Sequence, residues 1–218
     1  MSVFLDLRVS MLHPWTRLSW MSDEVGYGVV ATRFIPKGTI VWALDPLDQV
    51  FSSDEVKKFG PQLWPLLERY SYVNGQGLRV LCWDHGRFMN HSCDPVSLSP
   101  GVDFELAVRD VQPGEEITCD YSSLNLEQDL ACLCGSPHCR GKISKAQFAR
   151  LAPLWDRQLR EAVAFVNQVE QPLLPWVKER AQLDHWATHP GELPSAYGHM
   201  TRKRDAVTRS AKNGVSQS

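Results

Sequence analysis

A mainly β domain with helices, continued by a helical C-terminal extension, is the fold class that the sequence predicts. Three observations predict it. Over roughly the first 120 of the 218 residues, the apolar segments are short, β-branched and punctuated by glycine and proline. After Gly141 the apolar residues recur instead at steps of three and four, the spacing of an amphipathic helix. Between these two regimes, Cys132, Cys134 and Cys139 crowd into eight residues, a clustering more often of metal ligands than of crosslinks.

Composition bounds what such a chain can be. Apolar residues make up 43 % and charged residues 22 %, the balance of an average globular protein, which excludes disordered, collagenous and coiled-coil chains. A chain of this length buries enough surface for a self-sufficient core. The net charge of −2 provides no global field for nucleic acid or anionic membrane, so neither is expected as a direct partner. No apolar run approaches the roughly 20 residues that span a bilayer. Residues 1–20 carry Asp6, Arg8, His13 and Arg17 and lack the continuous core of a signal peptide. Six cysteines are too few for a disulfide scaffold. The expectation is a soluble intracellular protein, cytoplasmic, or nuclear if it acts on chromatin.

The elements follow in order. Residues 1–19 form an N-terminal flank. Strands are predicted over 25–31, 39–43, 78–83, 104–108 and 116–121, each rich in Val, Ile, Leu or aromatic residues. Two connections resemble each other, Arg33-Phe-Ile-Pro-Lys-Gly38 and Arg109-Asp-Val-Gln-Pro-Gly114, and each reads as the glycine turn of a hairpin. Ser52 and Glu55 have capping-box spacing and open a helical stretch to Tyr70, which Gly60-Pro61 and Pro65 must break or kink. Residues 84–101 read as loop. Ser144 and Gln147 form a second capping-box pattern, opening a helix that Pro153 restarts. Trp155, Leu159, Ala162, Val163, Val166 and Val169 then make an apolar stripe ending near Pro172, read as packing, with a further short helix over 176–186. From Gly191 the chain loses its large apolar residues, and Arg202-Lys203-Arg204, Arg209 and Lys212 make a flexible basic tail.

Three segments carry chemistry. Gly26-Tyr27-Gly28 lets a ligand approach the backbone closely, although a tight turn explains it equally well. Arg87-Phe88-Met-Asn90-His91-Ser-Cys93 sets an amide, an imidazole and a thiol together in a loop, costly in a core and useful in a site. Cys119-Asp120-Tyr121 closes a strand and leads to the cysteine cluster. Cys132, Cys134 and Cys139 supply three of the four thiolates of a structural zinc site. Cys93 is the best fourth candidate; His138 is the local competitor, but it abuts Cys139 and would strain the geometry.

In that order these motifs, with Gly114-Glu-Glu-Ile-Thr-Cys-Asp-Tyr121, resemble the SET-domain protein lysine methyltransferases with a post-SET zinc loop. The resemblance spans residues 20–143: a SET domain over 20–125 and the zinc loop over 126–143, with a helical extension over 144–190 and a tail over 191–218 lying outside it. It implies small β-sheets around a knot-like crossing in which Asn90-His91 meets Asp120-Tyr121. It implies S-adenosylmethionine as cofactor, zinc as structural metal and a lysine-presenting protein, histone or non-histone, as substrate. By position, Gly26, Tyr27, Gly28, Arg87, Phe88, Asn90, His91 and Leu133 would line the cofactor pocket. Tyr121 would be the catalytic tyrosine, and Cys119, Tyr70 and Tyr72 would belong to the lysine channel. The sequence departs from the family where Val96 follows Asp94-Pro95 in place of Asn, where His85-Gly86 shortens the turn before Arg87, and where Cys119 replaces a Phe or Tyr that tunes the number of methyl groups added. A small Cys119 favours di- or trimethylation unless a neighbour fills the space. The competing readings are a catalytically silent SET-like interaction module and a zinc-dependent structural protein without cofactor.

Overall fold

The computed structural model describes residues 10–200. The first nine residues of the flank, and Arg202, Lys203, Arg204, Arg209 and Lys212 of the expected tail, lie outside them.

Strand β1 (Thr16–Ser22) turns at Gly26, at φ 86°, into the antiparallel β2 (Gly26–Ala31). After β3 (Ile40–Ala43) comes a small unit of β4 (Gln49–Phe51), α1 (Ser53–Val56), α2 (Trp64–Tyr70), β5 (Ser71–Val73) and β6 (Arg79–Leu81). In it, β6 pairs antiparallel with both β4 and β5. The predicted capping box is present, with Ser52 and Glu55 satisfying each other's backbone N–H. Yet α1 lasts one turn. Pro65 starts α2 rather than kinking it, because a first-turn residue has no N–H to lose.

The next strands are β7 (Asn90–His91), β8 (Ser97–Leu98), β9 (Phe104–Ala107) and β10 (Thr118–Cys119). Residues 84–101 are therefore not all loop: they contain a 3-10 turn, His85–Phe88, and two short strands. Then β11 (Leu130–Ala131) pairs antiparallel with β12 (Lys142–Ile143), closing the base of the cysteine loop. Helices α3 (Phe148–Val163) and α4 (Arg180–Thr188) follow, and residues 191–200, expected as the start of the flexible tail, instead form a 3-10 turn, Ala196–His199, and pack through buried Leu193 and Ala196.

The two glycine connections correct the sequence reading. Gly38 and Gly114 do adopt positive φ, 89° and 87°. Their flanking strands, however, do not pair as hairpins: β2 pairs with β1, β3 with β9, and β10 with β7. The two similar segments pair with each other instead. Ile35 and Val111 exchange both backbone hydrogen bonds, at 3.0 and 2.8 Å, and the Lys37 N–H donates to Asp110 Oδ1 at 2.9 Å. Gly38 N–H reaches Ala107 O, and Gly114 N–H reaches Ala31 O. Turn chemistry fixed the reversal but not the partner. Both β3 and β9 are buried along their whole length, and β9 lies at the centre of its sheet, pairing with β3 on one side and with its sequence neighbour β8 on the other.

Sheet β3-β9-β8 separates two apolar clusters. On one side, Ile40, Leu98, Phe104 and Leu106 pack with Phe148, Trp155 and Leu159 of α3 and with Leu183 and Trp186 of α4. On the other, Val41, Trp42 and Ala107 pack with Val29, Cys82, Met89 and Cys119. Each large side chain so buried contributes about 1.5–3 kcal/mol. The predicted stripe is thus packing. Its helix differs in two details: Pro153 lies inside α3 without restarting it, held by buried Leu151, Ala152 and Trp155, and the helix ends at Val163, short of Pro172. Ser144 caps only a 3-10 turn, because the Gln147 side chain accepts from Ser122 and Arg140 instead.

Candidate active site

Parallel pairing of β7 with β10 brings two distant segments together: Asn90 faces Thr118 and His91 faces Cys119. This is the meeting of segments that the resemblance implied, and it places Tyr121 one step beyond the strand. Its backbone N–H donates to His91 Nδ1 at 3.1 Å, and the two rings lie 5.5 Å apart. An Nδ1 that accepts fixes the neutral tautomer with its hydrogen on Nε2, which points at Cys93 Sγ, 3.3 Å away. Burial pushes the His91 pKa down to about 4; the Asp120 charge opposes it and the Arg140 charge assists. The imidazole is therefore neutral at physiological pH.

Asn90 is anchored through its amide nitrogen, which donates to Tyr27 O at 3.0 Å and to Glu116 Oε1 at 2.7 Å. Both contacts leave the amide oxygen to accept. Gly28 has to be glycine here. A Cβ would stand 2.2 Å from Glu116 Oε1, 2.8 Å from Met21 Cγ and 2.9 Å from Asn90 Nδ2. Beside it runs an aromatic ladder of edge contacts, Trp20 on Tyr27 at 5.2 Å, Tyr27 on Phe88 at 5.9 Å and Tyr70 on Phe88 at 5.5 Å. Arg87 lies over the Phe88 ring at 5.2 Å. Trp20, Tyr27 and Leu133 stay exposed, Leu133 at 71 %.

Tyr121 donates its hydroxyl to Met89 O at 2.7 Å. Burial raises its pKa far above the ordinary phenol value, and nearby thiol and carboxyl groups add to this. It remains a neutral phenol, a hydrogen-bonding group rather than a base. Cys119 is buried behind it. The two tyrosines held for the channel separate: Tyr72 packs edge-on to Trp42 in the second cluster, whereas Tyr70 belongs to the aromatic ladder. Tyr72 also walls a cleft between α2 and residues 124–130, with Glu68 and Glu127 among its lining residues.

The cysteine loop folds against this site. The ligand atoms of His91, Cys93, Cys132 and Cys134 lie within 4.8 Å of one another. Cys93 Sγ is 3.6 Å from Cys132 Sγ, and the Cys93 N–H points at Cys134 Sγ at 3.5 Å. Cys139 Sγ stands beside this group, 3.8 Å from the Cys132 carbonyl oxygen and accepting from the Gly141 N–H at 3.4 Å, but is not among its four converging ligand atoms. His138 is exposed. Burial raises the Cys132 thiol, whereas backbone N–H groups of Cys93 and Ser136 overcome burial at Cys134 and bring it down to about 7. The group thus gathers three thiols and an imidazole, donors of the kind that a tetrahedral zinc ion takes. In the tautomer that accepts from Tyr121 N–H the hydrogen sits on Nε2, so serving as a ligand would cost His91 that contact.

Three residues of this arrangement had no role assigned from sequence. Glu116 holds Asn90. Asp120, fully buried, accepts from Arg140 at 2.7 Å, from Ser122 N–H at 3.0 Å and from Trp155 Nε1 at 3.3 Å. Arg140 also reaches the Cys93 backbone, tying the cysteine loop to the Tyr121 turn. Their signal lay inside the quoted motifs, as the second Glu of Gly-Glu-Glu, the Asp of Cys-Asp-Tyr and the Arg of Cys-Arg-Gly.

Comparison with known proteins agrees with this geometry. Residues 26–122 match the SET domain family, and the fold, small sheets with several helices, is that of a SET domain. Among curated relatives, Histone-lysine N-methyltransferase ash1 of Drosophila melanogaster is 32 % identical over 62 % of this chain. Histone-lysine N-methyltransferase Set2 of the same organism is 29 % identical over 59 % of it. The chain spans 6 % of the length of each. A histone-lysine N-methyltransferase of Cryptococcus neoformans, H3 lysine-36 specific, is 26 % identical over 69 % of this chain and 19 % of its own. The methyltransferase domain of human SETMAR aligns with a TM-score of 0.41 at 23 % identity, covering 56 % of this chain and 55 % of that one. No helix of the described residues is long and apolar enough to cross a membrane.

Proposed function

We propose that this chain, with its SET domain, transfers methyl groups from S-adenosylmethionine to lysine side chains of a protein substrate. The observation that carries the reading is the parallel β7–β10 pair, which joins Asn90, His91 and Tyr121 beside the glycine strand. The alternative of a silent module has no use for that convergence.

The residues fit the cofactor chemically. The missing Cβ of Gly28 lets Glu116 and Asn90 close in on the strand, the Asn90 amide oxygen can accept from an ammonium, and the aromatic ladder suits a sulfonium and a flat base. Exposed Leu133, between two zinc ligands, would cover the base. When bound, S-adenosylmethionine supplies an electrophilic methyl group on sulfur. The chain's own residues have to deliver a neutral amine in line with it. Free lysine has a pKa near 10.4, so the apolar wall of Met89, Cys82, Cys119 and Tyr72 would lower it by burial, releasing the proton to water. The neutral Tyr121 hydroxyl orients the amine and does not remove its proton. In the adjoining cleft Glu127 is paired with Arg79, so Glu68 is the carboxylate that would meet a basic peptide.

Cys93, Cys132, Cys134 and Cys139 would hold a structural zinc that shapes the loop. The named activity of the relatives favours a histone among possible substrates, and with a histone the site of action would be the nucleus. Incubating the chain with tritiated S-adenosylmethionine and heat-inactivated whole-cell extract, then hydrolysing the proteins, tests the reading. Labelled methyllysine supports it. Label confined to other residues, or no label with zinc-replete protein, would overturn it.

A further inference from the structure

Glu105 is a buried carboxyl that the mechanism above leaves unused. It sits in the middle of β9, where successive side chains point to opposite faces. Phe104 and Leu106 enter the cluster beneath α3 and α4, so Glu105 shares the opposite face with Ala107. That face is the site side, the cluster holding Cys82, Met89 and Cys119, with Tyr72 and Tyr121 packed against it. Through Ser97, which reaches Thr118 O beside Cys119, the carboxyl borders this cluster, and its charge bears on Cys119, Cys82, Tyr72 and Tyr121.

Its hydrogen bonding is one-sided. Oε2 lies 2.5 Å from Ser97 Oγ, and the same hydroxyl lies 3.2 Å from Thr118 O, beside Cys119. A serine hydroxyl has one hydrogen, so both contacts are satisfied together when Glu105 donates to Ser97 and Ser97 donates to Thr118. Burial raises the carboxyl pKa to about 7, against the Ser97 hydrogen bond, which lowers it. The other carboxyl oxygen then remains as an acceptor on the channel side of the sheet. No cation among the described residues forms an ion pair with Glu105, and an unpaired buried acid is costly where an apolar residue would serve.

We propose that Glu105 limits how many methyl groups this chain adds, accepting a hydrogen bond from an N–H of the substrate amine beside the small Cys119. This rests on the lysine methyltransferase reading. Each methyl added replaces an N–H with a bulkier group that cannot donate, so the contact favours the less methylated amine. The expectation drawn from Cys119 alone is thereby reversed: monomethyllysine is the main product.

The test compares wild type, Glu105→Met and Glu105→Gln, using tritiated S-adenosylmethionine and heat-inactivated extract. Labelled mono-, di- and trimethyllysine are separated after hydrolysis at matched total incorporation. Met fills the volume without an acceptor; Gln keeps both the acceptor and a donor for Ser97. The ratio of higher methylated to monomethylated product should rise at least fivefold in Glu105→Met and stay within twofold of wild type in Glu105→Gln. Thermal melting of each variant confirms folding, and should Met fail to fold, a Gln ratio outside that range overturns the proposal while one inside it supports it. A Met ratio equal to wild type, or equal shifts in Met and Gln, would also overturn it. A wild type that labels no lysine overturns the underlying function as well, whereas an active wild type with unchanged ratios sinks the Glu105 role alone.

Discussion

The two faces of β9 run through the same central sheet yet obey different rules. One face, Phe104 and Leu106, meets the helices in a cluster of aliphatic and aromatic side chains. The other, Glu105 and Ala107, meets a cluster containing two thiols, a thioether and two packed tyrosines. Steps of a single residue therefore cross from a region built for packing density to one built to hold polar chemistry out of water. The helical side also braces the other: Trp155 of α3 donates to Asp120, the residue before Tyr121. The difference teaches that the C-terminal helices stabilise the site without belonging to it, and it can be pressed from either side.

The largest expected effect is on the site side. Zinc binding to a thiolate site is worth on the order of 10 kcal/mol, so chelation of zinc-loaded protein should expose residues 130–141 to amide exchange. Affinity for S-adenosylmethionine should fall with it, while α3 and α4 keep their protection. Protection lost equally throughout would mean that the two regions are one cooperative unit.

On the packing side, Phe148 is 1 % exposed and lies edge-on to Trp155 at 5.2 Å. Phe148→Ala should lower stability by about 3–5 kcal/mol in denaturant unfolding. The folded fraction should bind S-adenosylmethionine as wild type does, which titration calorimetry would check.

A smaller effect separates the faces by pH. The Glu105 pKa is raised from 4.5 to about 7 in the folded chain. The folded state thus holds a proton that the unfolded state has lost, so this contribution is complete below pH 4.5 and disappears as pH rises through 7. Between pH 5 and 8 wild type should lose up to about 3 kcal/mol that Glu105→Gln does not lose, read as the difference in their unfolding midpoints.

How much of this the sequence revealed depended on range. Local chemistry was legible: the Ser52–Glu55 capping box, the positive-φ Gly38 and Gly114, and the helical stripe are all present. Strand partners were not, because a turn dictates reversal and not which buried strand waits beyond it; hence the two hairpins that proved to be crossed connections. Among the candidate site residues, the ordered motifs singled out Asn90, His91, Tyr121 and the cysteines, whose chemistry is visible in the residue type. Glu105 looked like the polar member of an alternating strand, and only burial of β9 on both faces turned it inward. Asp120 and Arg140 gained meaning only when a pair 20 residues apart closed to 2.7 Å.

The central claim is that Tyr121 orients a lysine amine beside bound S-adenosylmethionine. Its most direct test is Tyr121→Phe, assayed in parallel for cofactor binding by titration calorimetry and for methyl transfer to extract protein. Removing only the hydroxyl forfeits the bond to Met89 O and leaves the ring against His91. Binding within about threefold of wild type is expected, with transfer reduced by about 100-fold or more, close to 3 kcal/mol of transition-state stabilisation. Full turnover in the variant, with binding intact, would contradict the role assigned to Tyr121.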